Sequence, residues 1–188
     1  MNFIALDEAA KLLPAATRIL VIGCSGSGKS TLAAKLAQRL RLRHISMDKE
    51  FFWLPGWVLR DRAEISRLVT EAVAMDCWIM DGTSPRTMPI RLPRAQMVIW
   101  MRPPRLVSFY GLFRRVLKYH GTVRPEMAAG CPEPLPDEQF LSFIWNFEKH
   151  SAPKVLAMLA QHGPDVPILQ LKSYAAASQL LALLREGH

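Results

Sequence analysis

The strongest fold signal in the sequence is Gly23-Cys24-Ser25-Gly26-Ser27-Gly28-Lys29-Ser30, followed by Thr31. This stretch matches the pattern GxxxxGK[ST] in full. The preceding segment Arg18–Ile22 is apolar after its first residue and predicts a buried strand, whereas Lys29–Leu42 carries apolar residues at helical spacing. The sequence therefore predicts a phosphate-binding loop (P-loop) between a strand and a helix.

Each residue type in this loop has a physical role in binding a polyphosphate. Glycines adopt backbone conformations that other residues resist, so successive N–H groups can form a concave anion site at a helix N-terminus. Lys29 would place its charge against the β- and γ-phosphates, and Ser30 would offer a hydroxyl to Mg²⁺. We therefore predict that ATP and Mg²⁺ bind here, with contacts from Gly23, Ser25, Gly26, Ser27, Gly28, Lys29, Ser30 and Thr31.

Short apolar runs alternate with longer helical patterns along the rest of the chain. The predicted strands are Arg18–Ile22, His44–Met47, Trp78–Met80, Gln96–Met101 and Pro167–Leu171. The predicted helices are Lys29–Leu42, Arg62–Met75, Pro104–His120, Glu138–His162 with a break near Pro153, and Tyr174–Arg185. Apolar strands separated by helices are typical of a parallel sheet that is covered on both faces. The sequence predicts one α/β domain over residues 1–188.

Charge and cysteine content narrow the classes of function. The chain carries 24 Lys and Arg against 16 Asp and Glu, a formal net charge of +8, which predicts anionic partners. Its three cysteines are widely spaced and form no CxxC pair, which argues against a disulfide framework or a zinc site. Because the chain has neither an apolar run of membrane-spanning length nor a basic leader before an apolar stretch, we expect a cytoplasmic protein that does not bind membranes.

Two aspartates stand where ligands bind in open parallel sheets, at the carboxyl ends of strands. Asp48 follows the second predicted strand and Asp81 follows the third. We expect Asp81 to hold Mg²⁺ together with Ser30, and Asp48 to orient the acceptor hydroxyl or accept its proton. An aspartate after a strand is also a common turn or helix N-cap residue, and that alternative stays open for both.

Arginines dominate a stretch from Gly82 to Pro125 that contains no acidic residue. Forked guanidinium groups favour recognition of phosphate, although an ordinary solvated basic face is the alternative. We predict that Arg114, Arg115 and Arg124 stabilise charge on a transferred phosphoryl group.

Other segments supply candidate acceptor contacts and a lid. Arg86 lies close enough to Asp81 in sequence to contact an anionic acceptor group. Trp53 and Trp57 flank a Pro-Gly turn, where they would stack on a planar acceptor, with core packing or a lid hinge as the alternative. The Gly- and Pro-rich segment Gly121–Pro136 predicts a long loop, either a lid over residues 114–136 or a disordered tether.

Several separated motifs together resemble the adenylate-kinase-like P-loop kinases named DNA topology modulation proteins. They are Gly23–Thr31, Met47-Asp48 with Phe52–Trp57, Trp78–Gly82, Arg91-Leu92, Val98–Trp100, Pro104-Arg105 before Arg114-Arg115, Val123–Met127 with Gly130–Glu133, Phe140-Leu141 and Ile144–Phe147. The resemblance covers about Arg18 to Leu159. It implies a three-layer α/β nucleoside triphosphate hydrolase fold with a five-stranded parallel sheet, ATP and Mg²⁺ binding, and a short arginine-bearing lid.

Two details qualify this resemblance. Asp81-Gly82 with Pro85-Arg86-Thr87 also resembles the acceptor-side motif of adenylate kinases, with one residue more between Gly82 and Pro85. In the resembled family the strand that ends near Met101 often has an aspartate before the Pro-Arg pair. Here the sequence reads Met101-Arg102-Pro103-Pro104-Arg105, so any role of that acid is absent.

Three functions are compatible with these patterns. The favoured hypothesis is a P-loop kinase that transfers the γ-phosphoryl group of ATP to a small acceptor, a nucleotide or nucleoside. The alternative is a nucleic-acid-associated ATPase or a polynucleotide end-kinase, which the net charge of +8 supports but which has no recognisable nucleic-acid-binding motif. A nucleotide-dependent switch is the third, and the chain lacks the NKxD signature that selects guanine.

Overall fold

A parallel sheet of six strands forms the centre of the structure, a computed structural model that describes residues 1–184. The strands in chain order are β1 (Asn2–Ile4), β2 (Arg18–Gly23), β3 (His44–Ser46), β4 (Trp53–Leu54), β5 (Val58–Leu59), β6 (Trp78–Asp81), β7 (Met97–Met101) and β8 (Pro167–Leu171). The order across the main sheet is β1-β8-β7-β2-β6-β3, and β4 pairs with β5 in a separate antiparallel hairpin. Each predicted strand is confirmed, with at most one residue of difference at either end.

The sixth strand corrects the expectation of a five-stranded sheet. β1 pairs in parallel with β8 at the edge of the sheet, with Phe3 opposite Ile168. Edge strands are exposed on one side and are often very short, so they need not carry the continuous apolar run that marks a buried strand. β1 is three residues long and Phe3 is exposed. The sequence pattern therefore gave no signal for it.

Helices cover both faces of the sheet and complete a three-layer α/β architecture. They are α1 (Leu6–Leu12), α2 (Lys29–Leu40), α3 (Arg62–Ala74), α4 (Met88–Arg91), α5 (Arg105–Tyr119), α6 (Glu138–Trp145), α7 (Ala152–His162) and α8 (Tyr174–Leu183). Because neighbouring strand residues point to opposite faces, Leu20 of β2 belongs to the core cluster that includes α3, α5 and α7, whereas Val21 belongs to the cluster that includes α1, α2 and α8. Among residues 1–184, no helix is both long and apolar enough to cross a membrane.

The helix boundaries follow local chemistry. The long helix predicted over Glu138–His162 is interrupted after Trp145 by a π turn at Phe147–Ser151, and α7 then starts with Pro153 in its first turn, where a missing N–H costs little. Asp61 caps α3 by accepting hydrogen bonds from the N–H groups of Ala63 and Glu64. The last predicted helix is confirmed over Tyr174–Leu183, and its predicted final residue, Arg185, lies outside the described residues.

The predicted loop Gly121–Pro136 is present between α5 and α6 and packs against the β4–β5 hairpin. Met127, Ala128 and Cys131 form a small apolar cluster with Trp53 and Trp57. Polar bonds tie the same loop down. The Ser46 hydroxyl donates to the Glu126 carbonyl at 2.9 Å, the Lys49 ammonium to the Pro125 carbonyl at 2.8 Å, and the Gly56 N–H to the Gly130 carbonyl at 2.9 Å. The segment is therefore a packed loop and not a tether, and we call it the 121–136 loop.

Candidate active site

The P-loop lies between β2 and α2, as the sequence predicts. β2 ends at Gly23 and α2 begins at Lys29. Gly26 and Gly28 have φ angles of +76° and +88°, in the left-handed region that favours glycine. The backbone therefore turns sharply and presents the first N–H groups of α2 at the end of the loop, where the helix dipole favours an anion.

A single cavity of about 570 Å³ brings most of the predicted site together. From the P-loop side it is lined by Ser25, Gly26, Gly28, Lys29, Ser30 and Thr31, and from the facing elements by Asp48, Arg114, Arg115, Lys118, Arg124, Glu126 and Tyr174. This volume is within the range of small-molecule and cofactor sites. Positive side chains converge on it from α2, α5 and the 121–136 loop, so the cavity suits a polyanion.

Two predicted P-loop contacts, Gly23 and Ser27, support the loop from behind and do not line this cavity. Ser27 is fully buried. The Gly23 N–H donates to the Thr83 hydroxyl at 2.7 Å, and that hydroxyl donates back to the Gly23 carbonyl at 2.7 Å. Thr83 therefore anchors the start of the P-loop. Sequence reasoning missed it, although its position just after the Asp81-Gly82 strand end was a usable signal.

The two strand-end aspartates occupy different environments. Asp48 lines the cavity, at the start of a π turn that follows β3. The Asp81 side chain is only 3% exposed, and its Oδ2 lies 3.2 Å from Nε2 of His44 on the neighbouring strand β3. No hydrogen bond joins Asp81 to Ser30 within the described residues. Asp48 is thus the aspartate that shares a cavity with Ser30, and the metal role of Asp81 stays a prediction.

Arg91 is a buried cation that contacts the backbone just after Asp81. Its side chain is fully buried, and its Nη1 and Nη2 donate to the carbonyls of Gly82 at 2.9 Å and Ser84 at 3.2 Å. Burial lowers the pKa of Arg91 to about 10, and the charge of Asp81 opposes that shift. The guanidinium therefore remains charged at neutral pH and holds the backbone that follows β6 in place.

The predicted arginines reach the cavity from α5 and from the 121–136 loop. Arg115 donates through Nη1 to the Ser25 hydroxyl at 3.1 Å and through Nε to Glu133 Oε1 at 2.8 Å. Arg124 Nε lies 2.6 Å from the other oxygen of the same carboxylate, Glu133 Oε2. Burial lowers the pKa of Arg115, the nearby charge of Arg124 lowers it further, and Glu133 opposes both effects. The third predicted arginine, Arg114, lines the cavity beside them.

Glu133 is a site residue that the sequence analysis did not single out. It lies in the Gly130–Glu133 motif, which carried the family resemblance without a stated role. The available signal was chemical, since Glu126 and Glu133 are the only acids between Asp81 and Asp137 in a strongly basic stretch. A buried carboxylate in such a stretch must be paired with cations.

Helices α5 and α8 both contact the P-loop at Gly26. A Cβ atom added at Gly26 would lie 2.0 Å from the Ser108 carbonyl oxygen, so the loop and α5 are in backbone contact. The Tyr174 hydroxyl at the start of α8 donates to the Gly26 carbonyl at 2.7 Å. The geometry of the phosphate cradle therefore depends on side chains and backbone far away in sequence.

The predicted acceptor contacts Trp53, Trp57 and Arg86 do not line the cavity. The two indole rings meet edge to face with centroids 5.2 Å apart, and the Trp57 N–H donates to the Pro132 carbonyl at 3.0 Å. This is the packing alternative that the sequence left open. Arg86 is exposed in a 3₁₀ turn over Pro85–Thr87. A role for these three residues in acceptor binding stays a prediction.

Comparisons with known proteins agree on the fold. Residues 19–81, less than half of the chain, match the family model described as AAA domain. Shikimate kinase from Acinetobacter baumannii in complex with shikimate is similar at a TM-score of 0.55 and 14% identity, with 94% of this chain and 96% of that chain covered. Shikimate kinase from Bacteroides thetaiotaomicron is similar at a TM-score of 0.53 and 18% identity, with 91% and 97% covered. No curated protein sequence matches the chain.

The chain therefore has the three-layer α/β P-loop fold, with a six-stranded parallel sheet. At these identities the likeness to shikimate kinases establishes the fold and leaves the reaction to the site itself. None of the reported similarities is to a DNA topology modulation protein, so that narrower resemblance stays a prediction.

Proposed function

We propose that this protein is an ATP- and Mg²⁺-dependent phosphotransferase that transfers the γ-phosphoryl group to a small acceptor, a nucleotide or nucleoside. The observation that carries the proposal is the shared cavity. Lys29 and Ser30 of the P-loop line one side, and Asp48, Arg115 and Arg124 line the facing side. A phosphate cradle, a carboxylate and convergent arginines are the groups that phosphoryl transfer requires.

The residues present fit Mg²⁺. The Ser30 hydroxyl lines the cavity, and the Asp81 carboxylate, the second ligand predicted from the sequence, ends β6 beside β2; both are oxygen ligands of the kind that this ion prefers. The described residues hold no cluster of three or more His, Cys, Asp or Glu side chains that could hold a metal ion. That is compatible with Mg²⁺, which usually takes one or two carboxylates together with substrate phosphates and water. Bound Mg²⁺ would neutralise charge on the β- and γ-phosphates.

The chain's own residues would act by positioning and by charge. Lys29 and the N-terminal N–H groups of α2 would hold the phosphates in place. Asp48 would orient the acceptor hydroxyl and accept its proton as the acceptor oxygen bonds to the γ-phosphorus and the bond from that phosphorus to the β,γ-bridging oxygen breaks, which releases ADP. Arg114, Arg115 and Arg124 would stabilise the charge on the transferred phosphoryl group, most strongly where water is excluded.

The acceptor is best sought among small hydroxyl compounds that carry an anionic or planar group. The family resemblance supports nucleosides and nucleotides. The similar structures are shikimate kinases, one of them in complex with shikimate, so shikimate belongs in the same panel.

The test is a thermal-stability screen followed by a transfer assay. A ligand at 100 times its dissociation constant stabilises a protein by about 2.7 kcal/mol, which corresponds to several degrees at this size. We expect Mg²⁺-ATP to raise the melting temperature and one acceptor class to raise it further. That acceptor should then receive label from γ-labelled ATP. Absence of transfer to every nucleoside, nucleotide and hydroxy acid tested would contradict the proposal.

The alternative, a nucleic-acid-associated ATPase or polynucleotide end-kinase, is supported by the exposed face of α5 that borders the cavity. Tyr110 and Phe113 are exposed there, beside the exposed Arg114 and Lys118. Aromatic and basic side chains together suit single-stranded nucleic acid. An oligonucleotide with a 5′-hydroxyl end tests this function, because it offers the phosphoryl acceptor and the backbone charges at once. Tight binding that falls steeply with salt, with label transferred to that end, would favour this alternative.

A further inference from the structure

We propose that Glu133 is a positioning residue that holds the guanidinium groups of Arg115 and Arg124 as a pair facing the P-loop cavity. The inference rests on the proposed function, in which these arginines stabilise the transferred phosphoryl group. It assigns to the 121–136 loop a defined contribution to the reaction, through an acid that itself contacts no phosphate.

Glu133 binds each guanidinium group at its Nε atom and leaves the terminal nitrogens on the other edge available. Glu133 meets both arginines through their Nε atoms, Arg115 at Oε1 over 2.8 Å and Arg124 at Oε2 over 2.6 Å. An arginine that is held at Nε keeps terminal nitrogens for a second anion, since a guanidinium group has five N–H donors. Arg115 already directs one of these, Nη1, at the Ser25 hydroxyl of the P-loop. Both arginines line the cavity. The carboxylate thus aims their terminal nitrogens where phosphate oxygens would lie.

Electrostatics explains why an acid is needed at this point. The side chains of Arg115 and Arg124 are 20% and 11% exposed, and that of Glu133 is 2% exposed. Two cations that share one carboxylate repel each other, and the charge of Arg124 accordingly lowers the pKa of Arg115. Water cannot screen them well at this burial. The Glu133 carboxylate compensates both charges, so the arginines can stay side by side before a nucleotide arrives.

The backbone fixes the position of Glu133. Its N–H donates to the Thr122 carbonyl at 2.9 Å, and its carbonyl accepts from the Gly121 N–H at 3.0 Å. These bonds close the 121–136 loop just after α5 ends. The bonds between Glu133 and residues 121–122 therefore fix the position of its carboxylate. Arg124 lies within the segment that these bonds close into a loop.

The two ion pairs differ in alignment. The Arg115 contact is a hydrogen bond, whereas the Nε–H of Arg124 does not point at the Glu133 oxygen despite the short distance. A charge contact without a linear hydrogen bond restrains orientation less. We therefore expect Arg124 to be the arginine that re-aims when phosphate binds, and the test is built on it.

The test is a double-mutant cycle of Glu133→Gln and Arg124→Ala. A residue that acts through another has no effect once that other residue is gone. We expect Glu133→Gln alone to lower kcat by about tenfold or more and to raise the KM for ATP by less than about fivefold, a split typical of lost transition-state stabilisation. In the Arg124→Ala background the same substitution should lower kcat by a clearly smaller factor, because only the part of its effect that acts through Arg115 remains. Equal losses in both backgrounds would overturn the proposal.

Further variants distinguish a positioning role of Glu133 from a purely structural one. Glu133→Asp keeps the charge but is one methylene shorter, so it cannot reach both Nε atoms, and it takes the place of Glu133→Gln in the cycle if that variant does not fold. The control is Glu71→Gln, which removes a carboxylate that pairs with Arg67 at 2.6 Å on the exposed face of α3. We expect the control to match the wild type in kcat and KM.

Binding of inorganic tripolyphosphate to the same proteins makes the outcome independent of the acceptor. We expect Glu133→Gln to weaken tripolyphosphate binding by about threefold to fivefold in the wild-type background and by a smaller factor in Arg124→Ala, where only Arg115 is left to be positioned. If the wild type binds ATP but transfers to no acceptor, the proposed function fails while this cycle still decides the role of Glu133. If the wild type transfers phosphate and Glu133→Gln lowers kcat by the same factor with and without Arg124, the proposed function stands and only the positioning role fails.

Discussion

Gly111 of α5 lies against the carbonyl oxygen of Gly26 in the P-loop, so closely that a Cβ atom at position 111 would be 2.1 Å from that oxygen. The same Cβ atom would be 2.4 Å from the Tyr174 hydroxyl, which itself donates to Gly26. A backbone carbonyl cannot move aside without distorting the loop. The absence of a side chain at one helical position therefore allows α5, which carries Arg114 and Arg115, to lie directly against the phosphate cradle.

We predict that Gly111→Ala destabilises the protein and weakens ATP binding. Helix propensity alone would make this substitution stabilising by about 1 kcal/mol. Overpacking against a backbone typically costs about 1–3 kcal/mol, so the clash should decide the sign. Differential scanning calorimetry should show a melting temperature lower by several degrees. Leu117→Ala, at an 86% exposed position of the same helix, is the control and should change it little. A higher melting temperature for Gly111→Ala would show that α5 is not in this contact.

Lys29→Ala should abolish phosphoryl transfer and leave the fold intact. Lys29 is half-buried and lines an open cavity, so its truncation should leave no enclosed void. Loss of one charge that stabilises the transition state typically costs about a hundredfold or more in kcat. The measurement is label transfer from γ-labelled ATP, with circular dichroism to verify folding. Lys11→Ala, on the exposed face of α1, is the matched control and should retain full activity. Turnover by Lys29→Ala would contradict its assignment.

Asp48→Asn should mainly reduce activity, whereas Asp81→Asn should mainly reduce stability. Asp48 lines the cavity, so its amide variant should lose activity without a large change in melting temperature. Asp81 is buried against His44, so its amide variant should lower the free energy of unfolding by about 1–3 kcal/mol, the usual cost of disturbing a buried polar contact. Titrating activity with Mg²⁺ in both variants tests the metal role. A raised Mg²⁺ requirement in Asp81→Asn alone would support Asp81 as a metal ligand.

Much of this architecture was predictable because the signals are local. The glycine-rich loop and the apolar strands around it depend on residues a few positions apart. Strand-end geometry then brought Asp48 into the same cavity as Ser30, since the carboxyl ends of parallel strands share one edge of the sheet.

The rest depended on contacts that sequence spacing does not encode. Trp57 follows a Pro-Gly turn, but its partner Pro132 lies in a loop 75 positions away. Glu133 contacts Arg115, 18 positions away, and Arg124 only because α5 and the 121–136 loop bring both arginines to its two oxygens. Thr83 bonds to Gly23 from 60 positions away, and β1 was missed because it is a short, exposed edge strand without the apolar run of a buried one.

Because the thiol of Cys24 is buried, we expect the free energy of unfolding to depend on pH above pH 9. Burial raises its pKa from 9.0 to about 11, although the charge of Lys29 opposes the shift. Between these values the unfolded chain loses the proton and the folded protein keeps it, so the free energy of unfolding falls as pH rises, by up to about 1.4 kcal/mol per pH unit. We expect chemical denaturation from pH 8 to 11 to give a smaller decline for Cys24→Ala than for the wild type. Groups common to both proteins cancel in this difference, and Cys77→Ala, at an exposed thiol, should follow the wild type. Parallel curves for wild type and Cys24→Ala would mean that Cys24 is solvated, and the first turn of the P-loop would then be more open than its 7% exposure indicates.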